Sequence, residues 1–301
     1  VFHVKQDPGD PLAHLAAELG RLDARGLRRR PPTPLPDEAD SFCSNDYLGL
    51  ARRFVTTAPS GAGASRLIAG ERAAHVELEV ALRRWLGVEA CLAFSSGYAA
   101  NVGAISALAS PDDLVVSDAL NHASLIDGAR LARARVVVVA HNDVGAVERA
   151  LAERSEERAW VLTESYFSMD ADGPDLAALR AVASRHGAAL YVDEAHALGV
   201  LGPDGRGRAA EAGVTPDVLV GTLGKAFGSQ GAFVAGRAVL RDWLWNRARS
   251  FVFSTGLAPM AAEAARRALD ESLANPDLRE RVGALAARMR SGLAALGLPP
   301  A

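Results

Sequence analysis

The sequence predicts an α/β fold in which a mostly parallel central sheet is covered by helices on both faces. Two observations carry that prediction. Short apolar runs recur without clean polar alternation, as in strands buried on both faces. Amphipathic stretches long enough for crossover helices separate them, the pattern of repeated βαβ units. With 301 residues, the chain can form a large domain plus a smaller one and bury a substantial core.

Residues 1–40 are polar and then rich in proline (Pro31, Pro32, Pro34, Pro36), which predicts a helix over 11–25 followed by an extended connector. Residues 72–86 predict a helix with Val76, Val80 and Leu82 on its apolar side and Gly87 as its stop. The run 91–94 predicts a strand, 98–108 a helix, 114–116 a strand and 122–132 a helix. Four consecutive valines at 136–139 predict a buried strand. Further helices are expected over 144–152 and 175–185, and strands over 160–163, 189–192, 218–220 and 232–235. Three helices, 237–249, 258–273 and 279–296, complete the reading.

Composition narrows the function. Hydrophobic residues make up 49% and charged residues 23%, as in ordinary globular proteins. A net charge of −3 offers no basic face for nucleic acid. No apolar run is long enough to cross a membrane, and no apolar core of a signal peptide stands near the start, so a cytoplasmic protein is expected. Cys43 and Cys91, the only cysteines, are isolated, which fits a reducing compartment. The chain opens on Val1 in place of Met, consistent with a start further upstream.

Lysine usage is more informative. The 33 basic residues include only Lys5 and Lys225, so a surface cation in this protein is expected to be arginine. Lys225 instead lies in the Gly-rich apolar stretch Gly221-Thr222-Leu223-Gly224-Lys225-Ala226-Phe227-Gly228. A desolvated lysine can lose its proton and act as an amine nucleophile; a guanidinium cannot.

In open α/β sheets, ligands bind beyond the carboxyl ends of the strands. The polar residues following each predicted strand therefore form one candidate set. Ser95-Ser96-Gly97-Tyr98 open a helix, where backbone N–H groups can hold an anion, although a plain helix cap accounts for the serines equally well. Asp118, Asn121 and His122 follow the next strand, Glu164 and Ser168 another, and Asp193, Glu194 and His196 the one after. Thr222 and Lys225 follow the last. Together these suit pyridoxal 5′-phosphate (PLP), which needs a lysine for its Schiff base, a carboxylate to keep its pyridine nitrogen protonated and a cradle for its phosphate. Lys225, Asp193 and the 96–98 turn meet those needs, with His196 placed to approach the ring hydroxyl and His122 to lie over the ring. His75, His141 and His186 read as structural histidines.

Several of these runs resemble the α-oxoamine synthases, fold-type-I PLP enzymes. They are Ser44-Asn45-Asp46-Tyr47-Leu48-Gly49-Leu50, Ser96-Gly97-Tyr98-Ala99-Ala100-Asn101, Asn121-His122-Ala123-Ser124-Leu125, His141-Asn142-Asp143-Val144, Ser168-Met169-Asp170, Asp193-Glu194-Ala195-His196, Thr222-Leu223-Gly224-Lys225 and Ser254-Thr255. They occur in the family's order from about residue 12 onward. The resemblance implies catalytic roles for Lys225, His122 and Asp193. It implies cofactor contacts from Ser96, Gly97, Tyr98, Ser168, His196 and Thr222, with Thr255 reaching across from a partner subunit of a homodimer. Arg28, Asn45 and His122 become substrate-side residues, although Arg28 also reads as part of a solvated basic run. The implied organisation is an N-terminal helix and connector over 1–40, a PLP-binding domain over 41–245 and the beginning of a C-terminal domain over 246–301. The implied reaction is the decarboxylative condensation of an amino acid with an acyl thioester of coenzyme A or acyl carrier protein. L-alanine with a pimeloyl thioester is the pair best matched; glycine or serine pairs remain open. Two departures accompany the likeness. Only ten residues separate Leu50 from Gly61, fewer than the family pattern, and no arginine here takes the role of gripping the amino-acid carboxylate.

Other readings fit less well. Asp193-Glu194-Ala195-His196 also matches a helicase motif, but no G-x-x-x-x-G-K-[ST] loop precedes it. The Gly202–Gly207 stretch carries a proline and reads as a turn, not a dinucleotide loop. A zinc site from His122, His141 and His196 lacks short ligand spacing. A non-catalytic subunit of the same fold is opposed by Lys225, Asp193 and His196.

Overall fold

The computed structural model describes residues 11–31 and 41–298. Most of the expected proline connector, and Lys5, lie outside them. The chain divides between Cys43 and Ser44 into two compact units. The first carries α1 (Ala13–Ala24), with Leu12, Leu15, Leu19 and Leu22 exposed.

The second unit begins with a turn over 44–51 and a π-helical turn, Arg66–Gly70. It continues through α2 (Ala73–Leu86), β1 (Ala90–Phe94), α3 (Gly97–Leu108), β2 (Leu114–Asp118), α4 (Ala123–Ala132), β3 (Arg135–Val139), α5 (Val144–Ala152) and β4 (Ala159–Glu164). Next come α6 (Leu176–Arg185), β5 (Ala189–Asp193), α7 (Gly207–Glu211), β6 (Val218–Thr222), β7 (Ala232–Gly236), α8 (Ala238–Arg247), α9 (Arg249–Val252), α10 (Pro259–Ala274) and α11 (Asp277–Ala295). The strands form one sheet in the order β1-β7-β6-β5-β4-β2-β3. Only β7 runs against the others.

Alternation along each strand explains why helices cover both faces. Leu92, Val115, Leu162 and Tyr191 point to a core shared with Ile105 of α3, Leu125 of α4 and Leu244 of α8. Their neighbours face the other side. There Cys91 and Ala93 meet Leu78 and Leu82 of α2 and Leu269 of α10, while Val116, Val161 and Leu190 meet Leu151 of α5 and Leu179 of α6. Full burial of each leucine contributes about 1.5–3 kcal/mol, so both layers hold the sheet against its helices.

Three expectations are corrected. The valine run in β3 is not a buried strand: Val136 is 39% and Val138 65% exposed, because β3 is the sheet's edge and α5 covers only one of its faces. The helix expected over 237–249 stops at Arg247, where Ala248 turns extended (ψ 101°), and a new turn starts at Arg249. His122 precedes its helix as the N-cap, with extended backbone (φ −54°, ψ 146°).

Candidate active site

Parallel strands in register bring their last residues to one edge of the sheet. Glu164 pairs in register with Asp193, and Asp193 with Val220, so the ends of β4, β5 and β6 lie side by side. Above them lies a cavity of about 210 Å³, walled by Gly97 and Tyr98 of α3, His122, Glu164, Asp193, His196, Thr222 and Lys225.

Asp193 is held by two neighbours. Asn101 donates its side-chain amide to Oδ2 at 2.6 Å, and the Ala195 backbone N–H donates to Oδ1 at 2.9 Å. Asn101 is itself fixed, accepting from the buried Tyr191 hydroxyl at 2.8 Å and donating to Ser124 at 2.9 Å. Such a shell pre-orients a carboxylate toward a cationic partner in the cavity.

Lys225 sits in the loop between β6 and β7. The Gly228 N–H bonds back to the Lys225 carbonyl at 2.8 Å, closing a tight turn in which Gly228 has φ +56°. A Cβ at Gly228 would fall 2.3 Å from the Ala51 backbone nitrogen, so the lysine loop rests directly on the 44–51 turn. Lys225 Nζ lies 2.7 Å from His196 Nε2. Burial lowers the lysine pKa, opposed by the charges of Asp193 and Glu164. Burial, then Lys225 and His122, push His196 down to about 4, leaving it neutral at pH 7.

His122 is fixed from two directions. Its backbone N–H donates to Glu164 Oε1 at 2.7 Å. Its Nδ1 accepts the Ser124 N–H at 3.2 Å and lies 2.8 Å from the Ser124 hydroxyl. With Nδ1 an acceptor, Nε2 carries the proton. Burial and the neighbouring Asp193 raise Glu164 to about 7.

The α3 N-terminus supplies the anion site. Ser96 caps the helix, accepting from the Ala99 N–H at 3.1 Å. That leaves the amides of Gly97 and Tyr98 in the first turn, where no intrahelical acceptor exists. Thr222 Oγ1 donates to the Gly231 carbonyl at 3.2 Å and accepts from the Gly224 N–H at 3.2 Å, bracing the lysine loop across the cavity. An amine, a pre-oriented carboxylate and a helix N-terminus on one cavity match the aldehyde, pyridine nitrogen and phosphate of PLP.

The sequence-predicted residues separate into groups. Gly97, Tyr98, His122, Asp193, His196, Thr222 and Lys225 share the cavity, and Ser96 adjoins it as the cap. Ser168, Asn45 and Thr255 are exposed and do not line it. Asn45 accepts from the Tyr47 hydroxyl at 3.3 Å, and Thr255 borders a small cleft beside Arg66 and Phe251. Arg28, in the N-terminal unit, is paired with Asp23 at 2.6 Å. Glu194 serves the fold: its carboxylate accepts the Arg208 and Ala209 amides at the start of α7 and the Ser165 hydroxyl. His75 is buried with Nε2 2.7 Å from the Leu257 carbonyl, and His141 bridges Asp118 and Asp172. Asn101, Ser124 and Tyr47 went without a role in the sequence reading. Asn101 had a usable signal, a polar side chain one turn after Gly97 in an otherwise small, apolar helix.

The fold and this cavity define a PLP enzyme of fold type I. The family model for class I and II aminotransferases matches residues 41–301. An 8-amino-7-oxononanoate synthase of Anaeromyxobacter sp. (strain K) is 47% identical over 304 aligned positions, spanning 94% of this chain and 76% of that protein. One from Mycolicibacterium smegmatis is 52% identical over 273, spanning 86% and 71%. Among solved structures, SPT with its PLP internal aldimine superposes with a TM-score of 0.85 at 29% identity, covering 97% of this chain and 79% of that one. The 8-amino-7-oxononanoate synthase of Francisella tularensis gives 0.73 at 27%, covering 86% and 77%. The chain belongs to the class I and II aminotransferase family, in its α-oxoamine synthase branch.

Proposed function

We propose that this enzyme condenses L-alanine with pimeloyl-CoA, or the corresponding acyl-carrier-protein thioester, with loss of CO₂, forming 8-amino-7-oxononanoate for biotin biosynthesis. The observation that carries this reading is the pairing of Lys225, Asp193 and the α3 N-terminus on one cavity, in a chain 47–52% identical to 8-amino-7-oxononanoate synthases. Serine palmitoyltransferases superpose closely too, at 29–30% identity. The higher sequence identity favours alanine over serine.

When bound, PLP supplies the electron sink for the pair released at the amino-acid Cα. The chain's own residues do the rest. Lys225 would hold the cofactor, and its depressed basicity suits it to take the Cα proton. Asp193 holds the pyridine nitrogen in its protonated form. The Gly97 and Tyr98 amides, with Thr222, hold the phosphate. His196 would pair with the ring hydroxyl. His122, on the cavity wall, would offer its Nε2–H to the thioester carbonyl oxygen as negative charge develops there. Asn45 would act on the substrate side.

The working form is a cytoplasmic homodimer, with Thr255 reaching the partner subunit's cofactor. Among the described residues no helix is long and apolar enough to cross a membrane. The test offers the protein alanine, glycine and serine with pimeloyl, succinyl, acetyl and long-chain acyl thioesters and follows thiol release. Alanine with the pimeloyl thioester is expected to turn over fastest; faster turnover with glycine or serine overturns the substrate assignment while leaving the cofactor chemistry in place.

A further inference from the structure

The 44–51 turn reaches the lysine through one side chain. Asp46 shapes the turn, accepting the Leu50 and Ala51 N–H groups at 2.9 and 3.0 Å. Leu48 and Leu50 anchor it in the core, and Tyr47 packs against the same cluster. The Tyr47 hydroxyl lies 2.8 Å from His196 Nδ1, on the side of the imidazole opposite Lys225. It also donates to Asn45 Oδ1 at 3.3 Å.

We propose that Tyr47 is a positioning residue that sets which ring nitrogen of His196 carries the proton, and thereby which hydrogen bond His196 offers to Lys225. The donors and acceptors leave one fully satisfied arrangement around the lysine ammonium. An ammonium has no acceptor, so Nε2 must accept from it and Nδ1 must carry the proton. Nδ1–H then donates to the Tyr47 oxygen, and the Tyr47 proton goes to Asn45 Oδ1. Every member is paired, as a part-buried polar chain requires. A hydroxyl both donates and accepts. Tyr47 can therefore also donate to Nδ1 when Nε2–H is needed as a donor toward the neutral amine or a cofactor oxygen. Burial keeps the phenol protonated, so it retains both roles at neutral pH. No other side chain among the described residues hydrogen-bonds His196 Nδ1.

The test is Tyr47→Phe in the full chain, which keeps the packed ring and removes only the hydroxyl. The ¹⁵N resonances of the His196 ring, assigned by comparison with His196→Asn, report the tautomer in cofactor-free protein at neutral pH. Wild type is expected to show Nδ1 protonated and Nε2 unprotonated. In the variant an Nδ1–H would be left without an acceptor, so the proton is expected to move to Nε2 as Lys225 gives up a proton to solvent and its neutral amine becomes the acceptor. PLP affinity, read from the visible band on titration, is expected to fall about tenfold, the effect of one hydrogen bond lost from a buried chain. A wild-type His196 protonated on Nε2, or a variant with wild-type tautomer and wild-type affinity, overturns the proposal. The affinity arm rests on the PLP reading and the tautomer arm does not. Failure of wild type to bind PLP would therefore count against that reading alone.

Discussion

Glu164 offers the sharpest quantitative test of the site's electrostatics. Its carboxyl lies buried at the end of β4, in register with Asp193, and accepts the His122 N–H. Burial first, then repulsion from Asp193, raises it from 4.5 to about 7. The folded protein therefore holds a proton at Glu164 that the unfolded chain has already lost between those values. Stability falls as pH rises through that window, and the full cost is present above pH 7. The displacement corresponds to about 3 kcal/mol. Glu164→Gln keeps the acceptor for the His122 N–H and removes the ionisation. In cofactor-free protein at one fixed concentration, urea denaturation near pH 4.5 is expected to place variant and wild type close together. At pH 8 the variant should be more stable by up to about 3 kcal/mol. Because the Glu164 charge also supports the Lys225 ammonium, the variant is expected to free the lysine amine at lower pH and to shift the onset of PLP Schiff-base formation to lower pH. A stability difference that does not change between the two pH values would refute the reasoning.

Other perturbations probe separate links. Asp193→Asn keeps the shape and part of the Asn101 and Ala195 network but loses the charge facing the pyridine nitrogen; turnover should drop about a hundredfold or more with circular dichroism unchanged. Gly228→Ala places a methyl against the Ala51 backbone at a positive φ and should cost more than about 1 kcal/mol in denaturant titration. Leu82→Ala, in the fully buried contact of α2 with the sheet, should cost about 2–5 kcal/mol. Sedimentation of PLP-loaded protein should give a dimer; a monomer with full turnover would remove Thr255 from the site.

Much of the fold was legible because burial on both faces leaves a signature. Each apolar run from 91 to 235 became a strand in the expected place, and the intervening helices followed. The valine run misled for a physical reason: β-branched residues favour strand geometry whether or not the strand is covered, so β3 reads the same at an edge as in the centre. The direction of β7 was invisible because periodicity records burial, not orientation. In the site, residues directly following strands were legible, since strand ends converge on one edge of a parallel sheet. Asn101 and Tyr47 were not, because they act through contacts 92 and 149 residues away in sequence. Only the folded chain brings Tyr47 against His196.

The central claim is that Lys225 carries the cofactor. Borohydride reduction of the PLP-loaded protein followed by peptide mass mapping tests it most directly. A single pyridoxyl adduct is expected on the peptide containing Lys225, and its loss, with loss of the visible band, in Lys225→Ala. An adduct on Lys5, or one that survives in Lys225→Ala, would contradict the account.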